Sequence, residues 1–428
     1  MVLVLVDAIT PRLIYTLDFI FKERGIDYET TTAQIDFEER DVAFRLNYST
    51  RHSEIAKQID PCTLLRESII HDLKLEKTEF EGEECLMIEG KIDPIAAVFY
   101  VLSRYEEYGI SHEDEHGRFI AIHSILIKYD WNTKVVCDRW AKKIIEFIFP
   151  ELYLESELRF RLMHPTSLIP TFDIDNAFAY KNKKVGRTVM SIFKDILKGN
   201  RSRLKERVDV SRGDKDPYDT YEKIIEVADV FKQTRVFWLV RSNGEKDRNV
   251  PLDNEEHQKT IRSVSIHATI GIHPSYGSFG NSDLIRQEKN DLEQVLGKEI
   301  LASRFHFLRF KLPHSYRNLL DAGIEEDHSM GFAEKIGFRA GTARPFKWFD
   351  LEKNEVTDLW VHPFAYMDGT LNEYMNLSTE QSVSIISELY KEVSDFGGDF
   401  RFIWHNETIN NEGKWSGWQE VLNKTLEL

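Results

Sequence analysis

Apolar residues open the chain in Val2-Leu3-Val4-Leu5-Val6, a run too short for a signal core or a membrane span, and it reads as a first strand. Helical spacing follows from Pro11 to Arg24. A second apolar run, Ile95 to Leu102, comes after Asp93-Pro94, a capping aspartate and a first-turn proline, and predicts a buried helix. A further helix is expected over Cys137 to Ile148. Residues 1–157 thus read as an α/β or α+β domain of their own. From Leu168 the pattern becomes regular, with apolar strands alternating with helical stretches. Strands are expected at Leu168–Asp173, Arg235–Arg241, Thr269–His273, Ile300–Phe307, Gly323–Met330, Leu359–Ala365 and Phe400–Trp404. Helices fall between them, at Pro217–Gln233, Leu252–Val264, Ser282–Leu296, Pro313–Asp321 and Thr379–Asp395, and after them at Trp415–Leu426. Parallel neighbours need crossovers, so this alternation predicts a parallel sheet. A distorted seven-stranded (β/α) barrel over residues 158–428, closed or nearly closed, is the economical arrangement. No Gly-x-Gly-x-x-Gly turn or Walker lysine follows a strand, which argues against dinucleotide and P-loop folds.

The 428 residues, 42% hydrophobic and 30% charged, are enough for two or three domains with a large core. A formal charge of −16 argues against nucleic acid or an anionic membrane surface as partner. The local basic stretches, Lys181 to Lys184 and Lys198 to Arg207, read as solvated faces. Cys62, Cys85 and Cys137 are far apart and form no ligand pair, which fits a reducing cytoplasm. No basic leader or integral membrane segment is visible, so a cytoplasmic location is expected; oligomeric state is not legible. His112, Asp114, His116 and Asp130 invite a metal reading, but the segment Ser111 to Gly117 has the composition of an exposed turn.

Chemistry gathers at the expected strand ends. Asp173 and Asp175 are two residues apart, so extended geometry points both carboxylates to one face, at a cost unless a cation neutralises one of them. His273 leaves its strand at a Gly271 and Pro274 turn, where a neutral imidazole suits zinc or a similar divalent transition ion. Arg304, His306 and Leu308 alternate onto one face of the next strand. His405 ends the last strand, and imidazole titrates near working pH. Arg339 and Asp368 can hold sugar hydroxyls, support the site from behind or pair with each other, structural ion pairing being as open a reading for both, and Ser275 and Trp404, beside the two strand-end histidines, are further candidates for holding substrate. Aromatic residues make up 12% of the chain, and Trp348, Trp404, Trp415 and Trp418 are the candidates for stacking on a sugar.

Five segments, Thr171-Phe172-Asp173-Ile174-Asp175, Gly271 to Ser275, Arg304 to Leu308, Gly337 to Thr342 and Phe402 to Asn406, follow an order that resembles the polysaccharide deacetylases, the NodB-homology or carbohydrate esterase 4-like family. The run Asp93 to Ala97 with Leu102 to Tyr108 looks like the uncharacterised domain that precedes the deacetylase domain in a group of relatives found in Bacteroidetes. The resemblance implies a metal-dependent hydrolase acting on an acetamide or acetyl ester of a sugar or polysaccharide. By resemblance Asp173 is the general base, Asp175 and His273 are metal ligands, Arg304 orients Asp173 and His405 is the general acid. The chain departs from the family at Gly277, where the usual second metal histidine would stand. If Arg304 points inward, His306 shares its direction, so Asp175, His273 and His306 are expected as the ligands of a divalent ion, zinc first among the transition metals; the alternative, that His306 only binds sugar and two residues plus water hold the ion, stays open. Asn406 replaces the family's acidic neighbour of the acid, leaving Glu407 or Asp327 to tune His405. Two other readings stay open: a hydrolase of a non-sugar amide or cyclic imide, and a catalytically inactive carbohydrate-binding protein, the latter suggested by Gly277.

Overall fold

The computed structural model describes residues 1–109, 112–149, 166–183, 185–197 and 199–428. The opening run forms β1 (Val2–Val6), wholly buried between parallel partners β2 (Tyr28–Thr31) and β3 (Phe44–Tyr48), with β4 (Lys57–Gln58) beyond β3. Thr10 caps the helix Pro11–Ile20 by accepting from Leu13 N. Asp93 caps Pro94–Leu102 by accepting from Ala96 N, and every residue of that helix is buried, as its unbroken apolar sequence requires. An antiparallel sheet of β5 (Leu75–Phe80), β6 (Glu83–Ile88) and β7 (Lys91–Ile92) packs with the helix Val136–Ile148 to complete the N-terminal region.

The second sheet contains β8 (Ser167–Ile174), β9 (Arg235–Trp238), β10 (Thr269–Ile272), β11 (Ala302–Ser303), β12 (Glu326–Asp327), β13 (Phe346–Asp350), β14 (Glu355–Val361), β15 (Tyr366–Met367) and β16 (Asp399–His405). Its order is β13-β14-β12-β11-β10-β9-β8-β16-β15, all parallel except β13 on β14. The seven anticipated strands are present and adjacent; β13 and β15 were not anticipated. The ladder has edges at β13 and β15 and is not a closed seven-stranded ring. One bent segment lies at both ends of the parallel run instead. His362, just after β14, donates its N–H to Asp327 O at 2.8 Å, whereas Ala365 N–H, three residues later, donates to Arg401 O at 2.8 Å.

Two expected strands are cut to two residues each, Gly323–Met330 to Glu326–Asp327 and Ile300–Phe307 to Ala302–Ser303. The one predicted over Ile300–Phe307 is regular only at Ala302–Ser303, because Phe307 and Leu308 turn into positive φ, 62° and 50°. Two helices before β9, Val185–Leu197 and Arg201–Ser211, were not anticipated.

The expected boundary at 157/158 lies outside the described residues. One hydrophobic core runs through both regions. Buried ion pairs cross between them. Arg339 holds Glu107 bidentately at 2.9 and 2.7 Å, and Arg24 and Arg344 both hold Asp138 Oδ1, at 2.6 and 2.9 Å. Gly337 has φ 102°, and a Cβ there would run into the backbone carbonyl of Asn132, so the two backbones touch. Arg339 is therefore not a sugar-binding residue: its guanidinium is spent on Glu107 and on Gly331 O.

Candidate metal and acid–base centre

The carboxyl ends of β8, β10 and β16 and the turn after β11 meet at a cavity of about 380 Å³. Asp173 lies in β8 and Asp175 just past its end, and the pleat brings both to the cavity. Asp173 Oδ1 accepts from Arg304 Nη1 at 2.7 Å. Arg304 is in turn fixed by donating from Nε to His328 O at 2.9 Å and by lying 4.4 Å over the Phe237 ring.

Asp175 stands among three imidazoles. Its Oδ1 is 3.2 Å from His273 Nε2, and its Oδ2 is 3.4 Å from His306 Nε2 and 4.0 Å from His405 Nε2. Each ring is anchored from behind through Nδ1: His273 to Arg304 O at 2.5 Å, His306 to Asp247 Oδ1 at 2.8 Å, His405 to Asp368 Oδ1 at 2.8 Å. With Nδ1–H donating, the Nε2 atoms are left for the cavity. Burial opposes the charge of Asp175, yet His306, His273 and His405 outweigh it and hold the carboxyl well below the usual range. Burial likewise lowers His306, but Asp175 and Asp247 push it up to about 9. Positive charge is thus favoured at this point, whether as a proton or as a cation. Asp175 Oδ1 is buried with no hydrogen-bond partner. Ligand atoms of Asp175, His273 and His306 lie within 4.8 Å of one another. A carboxylate whose orphaned Oδ1 faces His273 Nε2 and whose Oδ2 faces His306 Nε2 is a donor set that fits a divalent transition ion.

His306 reaches the site by a route other than the expected strand alternation. β11 has ended, His306 N–H donates to Pro274 O at 3.1 Å, and the left-handed turn at Phe307 and Leu308 follows. Gly277 has a packing cause. A Cβ there would meet the carbonyl group of Asn243, 2.5 Å from its carbon, and lie 2.8 Å from Gly244 N. That close approach brings in Asp247, which accepts from Gly244 N, Tyr276 N and Gly277 N at 2.6, 2.8 and 3.2 Å while it holds His306. A histidine at 277 is incompatible with the carboxylate that orients His306. Gly277→Ala is expected to lower stability by about 1–3 kcal/mol without raising metal affinity. Thermal unfolding together with metal titration checks both halves of that expectation.

Asp247 was not foreseen, since nothing in Asn243-Gly244-Glu245-Lys246-Asp247 distinguishes it from a surface turn. Asp368, expected either to hold substrate or to support the site from behind, does the second. Its side chain is fully buried and accepts from His405 N at 2.9 Å and Thr408 Oγ1 at 2.5 Å as well as from the His405 ring, so it positions the imidazole and is not free for a sugar. Of the two suggested alternatives, only Glu407 interacts with His405, through charge and beside the direct Asp368 contact. Asp327 is occupied by Tyr316 and Ser329, and Glu407 lines the cavity beside Tyr218, its carboxyl raised by burial and then by Asp175. Ser275 is buried with its N–H and hydroxyl on Glu288, and Trp404 is buried in the core, away from the cavity wall. Trp415 does line the cavity, whereas Trp348 and Trp418 are buried elsewhere. The Ser111–Gly117 stretch behaves as a turn over its described part, Asp114 accepting from His116 N and Arg118 N. It nonetheless delivers Arg118 to the cavity wall, where Nη1 donates to Phe307 O at 3.0 Å. The N-terminal region, in which no site residue was expected, therefore contributes to the wall.

A second group with close ligand atoms, Glu326, His328 and His362, does not line the cavity. Burial, with Arg401 among the neighbouring cations, keeps both of its imidazoles well below their usual range.

Residues 2–151 match a family of unknown function, DUF7033. A comparison with curated proteins finds no match. Among solved structures, the chain is similar to a "putative polysaccharide deacetylase" from Mycobacterium smegmatis, with 13% identity and a TM-score of 0.38 over 62% of this chain and 86% of that one. It is also similar to the Puue allantoinase, with 12% identity and a TM-score of 0.37 over 61% of this chain and 85% of that one. A polysaccharide deacetylase from Bacillus cereus gives 8% identity and a TM-score of 0.29 over 61% and 86% of the two chains.

Proposed function

We propose that the chain is a metal-dependent deacetylase that hydrolyses an acetamide or acetyl ester of a sugar, with Asp173 as general base and His405 as general acid. One observation carries the reading: a carboxylate, an Asp-His-His donor set and a third imidazole converge on one cavity, each backed by a separate partner in Arg304, Asp247 or Asp368. Asp175, His273 and His306 would hold the ion, and two nitrogens with one carboxylate oxygen suit zinc best. Such an ion supplies Lewis-acid polarisation of the acyl carbonyl and acidifies a water. Asp173, held by Arg304, takes a proton from the attacking water. Burial alone would lower His405, but Asp368, then Asp175 and Asp173, hold it well above its ordinary value. It is therefore charged at neutral pH and able to donate a proton to the leaving amine or alkoxide. Trp415 and Tyr374 offer ring faces and Arg118 and Asn410 polar atoms for a sugar at the cavity wall. The inactive-protein reading rested on Gly277, whose cause is packing against Asn243.

Purified protein is expected to release acetate from N-acetylated sugars, to lose that activity on chelation and to regain it with zinc. Hydrolysis of a cyclic imide or a non-sugar amide with no acetate released from any N-acetylated sugar would replace the sugar reading with the other enzyme.

A further inference from the structure

We infer that the helices Val185–Leu197 and Arg201–Ser211 dock the protein on the surface of an anionic lipid bilayer. The first helix is inverted with respect to water. Val189, Met190, Phe193, Ile196 and Leu197 recur at the spacing of one helical stripe, and all five are 58–74% exposed. Two of its polar positions face the second helix instead: Asp195 is buried and pairs with Arg207 at 3.0 Å, and Ser191 also accepts from Arg207. Val208 of the second helix adds to the exposed apolar surface. A water-facing helix normally shows the opposite pattern, and a contiguous apolar patch of this kind is a site of contact.

Charge decides what it contacts. Residues 181–215 carry twelve Lys or Arg and four Asp or Glu, in a chain whose formal charge is −16. Lys194, Arg201, Arg203, Lys205 and Arg212 are exposed around the patch. A second copy docking patch to patch would set these cations against one another, whereas anionic headgroups neutralise them while the apolar stripe enters the acyl boundary. No described helix is long and apolar enough to cross a membrane, so the pair lies in the interface plane.

The helices follow directly on the strand end that carries Asp173 and Asp175. Arg207 lies 4.5 Å over the Tyr180 ring, Tyr180 donates to Glu206 at 2.7 Å, and Tyr218, soon after the second helix, lines the cavity. Docking would hold the cavity beside the bilayer surface. Taken with the deacetylase reading, on which this step rests, the substrate class is a sugar carried on a lipid.

The test is co-sedimentation of the full chain with phosphatidylglycerol–phosphatidylcholine vesicles and with pure phosphatidylcholine vesicles, at low and high salt. Binding to the mixed vesicles that weakens with salt, and weak binding to the neutral ones, is expected. Met190→Ser with Phe193→Ser should cut binding to the mixed vesicles about tenfold or more, and Arg201→Gln with Lys205→Gln about tenfold, each with an unchanged melting curve and unchanged acetate release from a soluble sugar. Asp173→Asn should bind vesicles like the wild type. Failure of the wild type to bind mixed vesicles overturns the inference. So does a dimer in light scattering that the Met190→Ser, Phe193→Ser variant dissolves, since the patch would then be a self-association surface. Vesicle binding without acetate release upholds docking and overturns only the deacetylase reading; acetate release without vesicle binding does the reverse.

Discussion

Asparagine in place of Asp173 is expected to cost on the order of a hundredfold or more in turnover while bound metal is retained. The side chain keeps its shape, and Arg304 loses only a charged acceptor at 2.7 Å, but the amide cannot take a proton from water. Asp175, not Asp173, faces both His273 and His306 within 3.4 Å, so metal should persist. His405→Gln should cost a similar factor by removing the proton donor. Asp368→Asn acts on the same step more gently. Asp368 is the main group opposing the effect of burial on His405, so its neutralisation lowers the imidazole's pKa. The reaction needs His405 protonated, so the alkaline limb of the pH–rate profile should move to lower pH. Measured kcat, metal content and pH profiles of the three variants check this; equal loss of metal and activity in Asp173→Asn would mean that its role is that of a ligand.

Glu107→Ala should be among the most destabilising single changes, at about 3–5 kcal/mol. Glu107 is buried between Arg104 and Arg339, which are 1% and 3% exposed, and its removal strands the Arg339 guanidinium where water cannot reach it and leaves Arg104 with Glu106 alone. Burial alone would raise the Glu107 carboxyl, but Arg339 and Arg104 hold it below the ordinary carboxylate value. A depressed folded pKa gives a contribution that is complete above the unfolded value and is lost as pH falls through the folded one. Urea unfolding at neutral and acidic pH should therefore show the wild type losing part of its advantage over Glu107→Ala in acid. The same pair predicts that residues 158–428 alone do not form a stable unit, because Arg339, Arg344 and the Gly337 backbone would lose their partners. A soluble, cooperatively folding fragment would contradict this.

The sheet was legible because each strand's apolar run is bounded by helices with their own period, and the helix Ser282–Leu296 matches its expected limits. Strand lengths were not: β11 and β12 are only two residues long, since the chain leaves the ladder early to form cavity walls. Asp173, Asp175, His273 and His405 were legible because each sits at a strand end, where side-chain direction follows from the pleat. Their supports were not. Asp247 is 59 residues from His306, and Asp368 is 37 from His405, so no local pattern links the pairs. The helix Val185–Leu197 was missed although Val189, Met190, Phe193, Ile196 and Leu197 recur at helical spacing.

Metal titration of wild type, His273→Ala, His306→Ala, Asp247→Asn and His314→Ala bears most directly on the centre. His306→Ala is expected to weaken binding about as much as His273→Ala, Asp247→Asn about 10–100-fold as the loss of an orienting partner, and His314→Ala, exposed at the start of its helix, not at all. Wild-type affinity in His306→Ala would contradict the assignment of Asp175, His273 and His306 as the set that holds the ion.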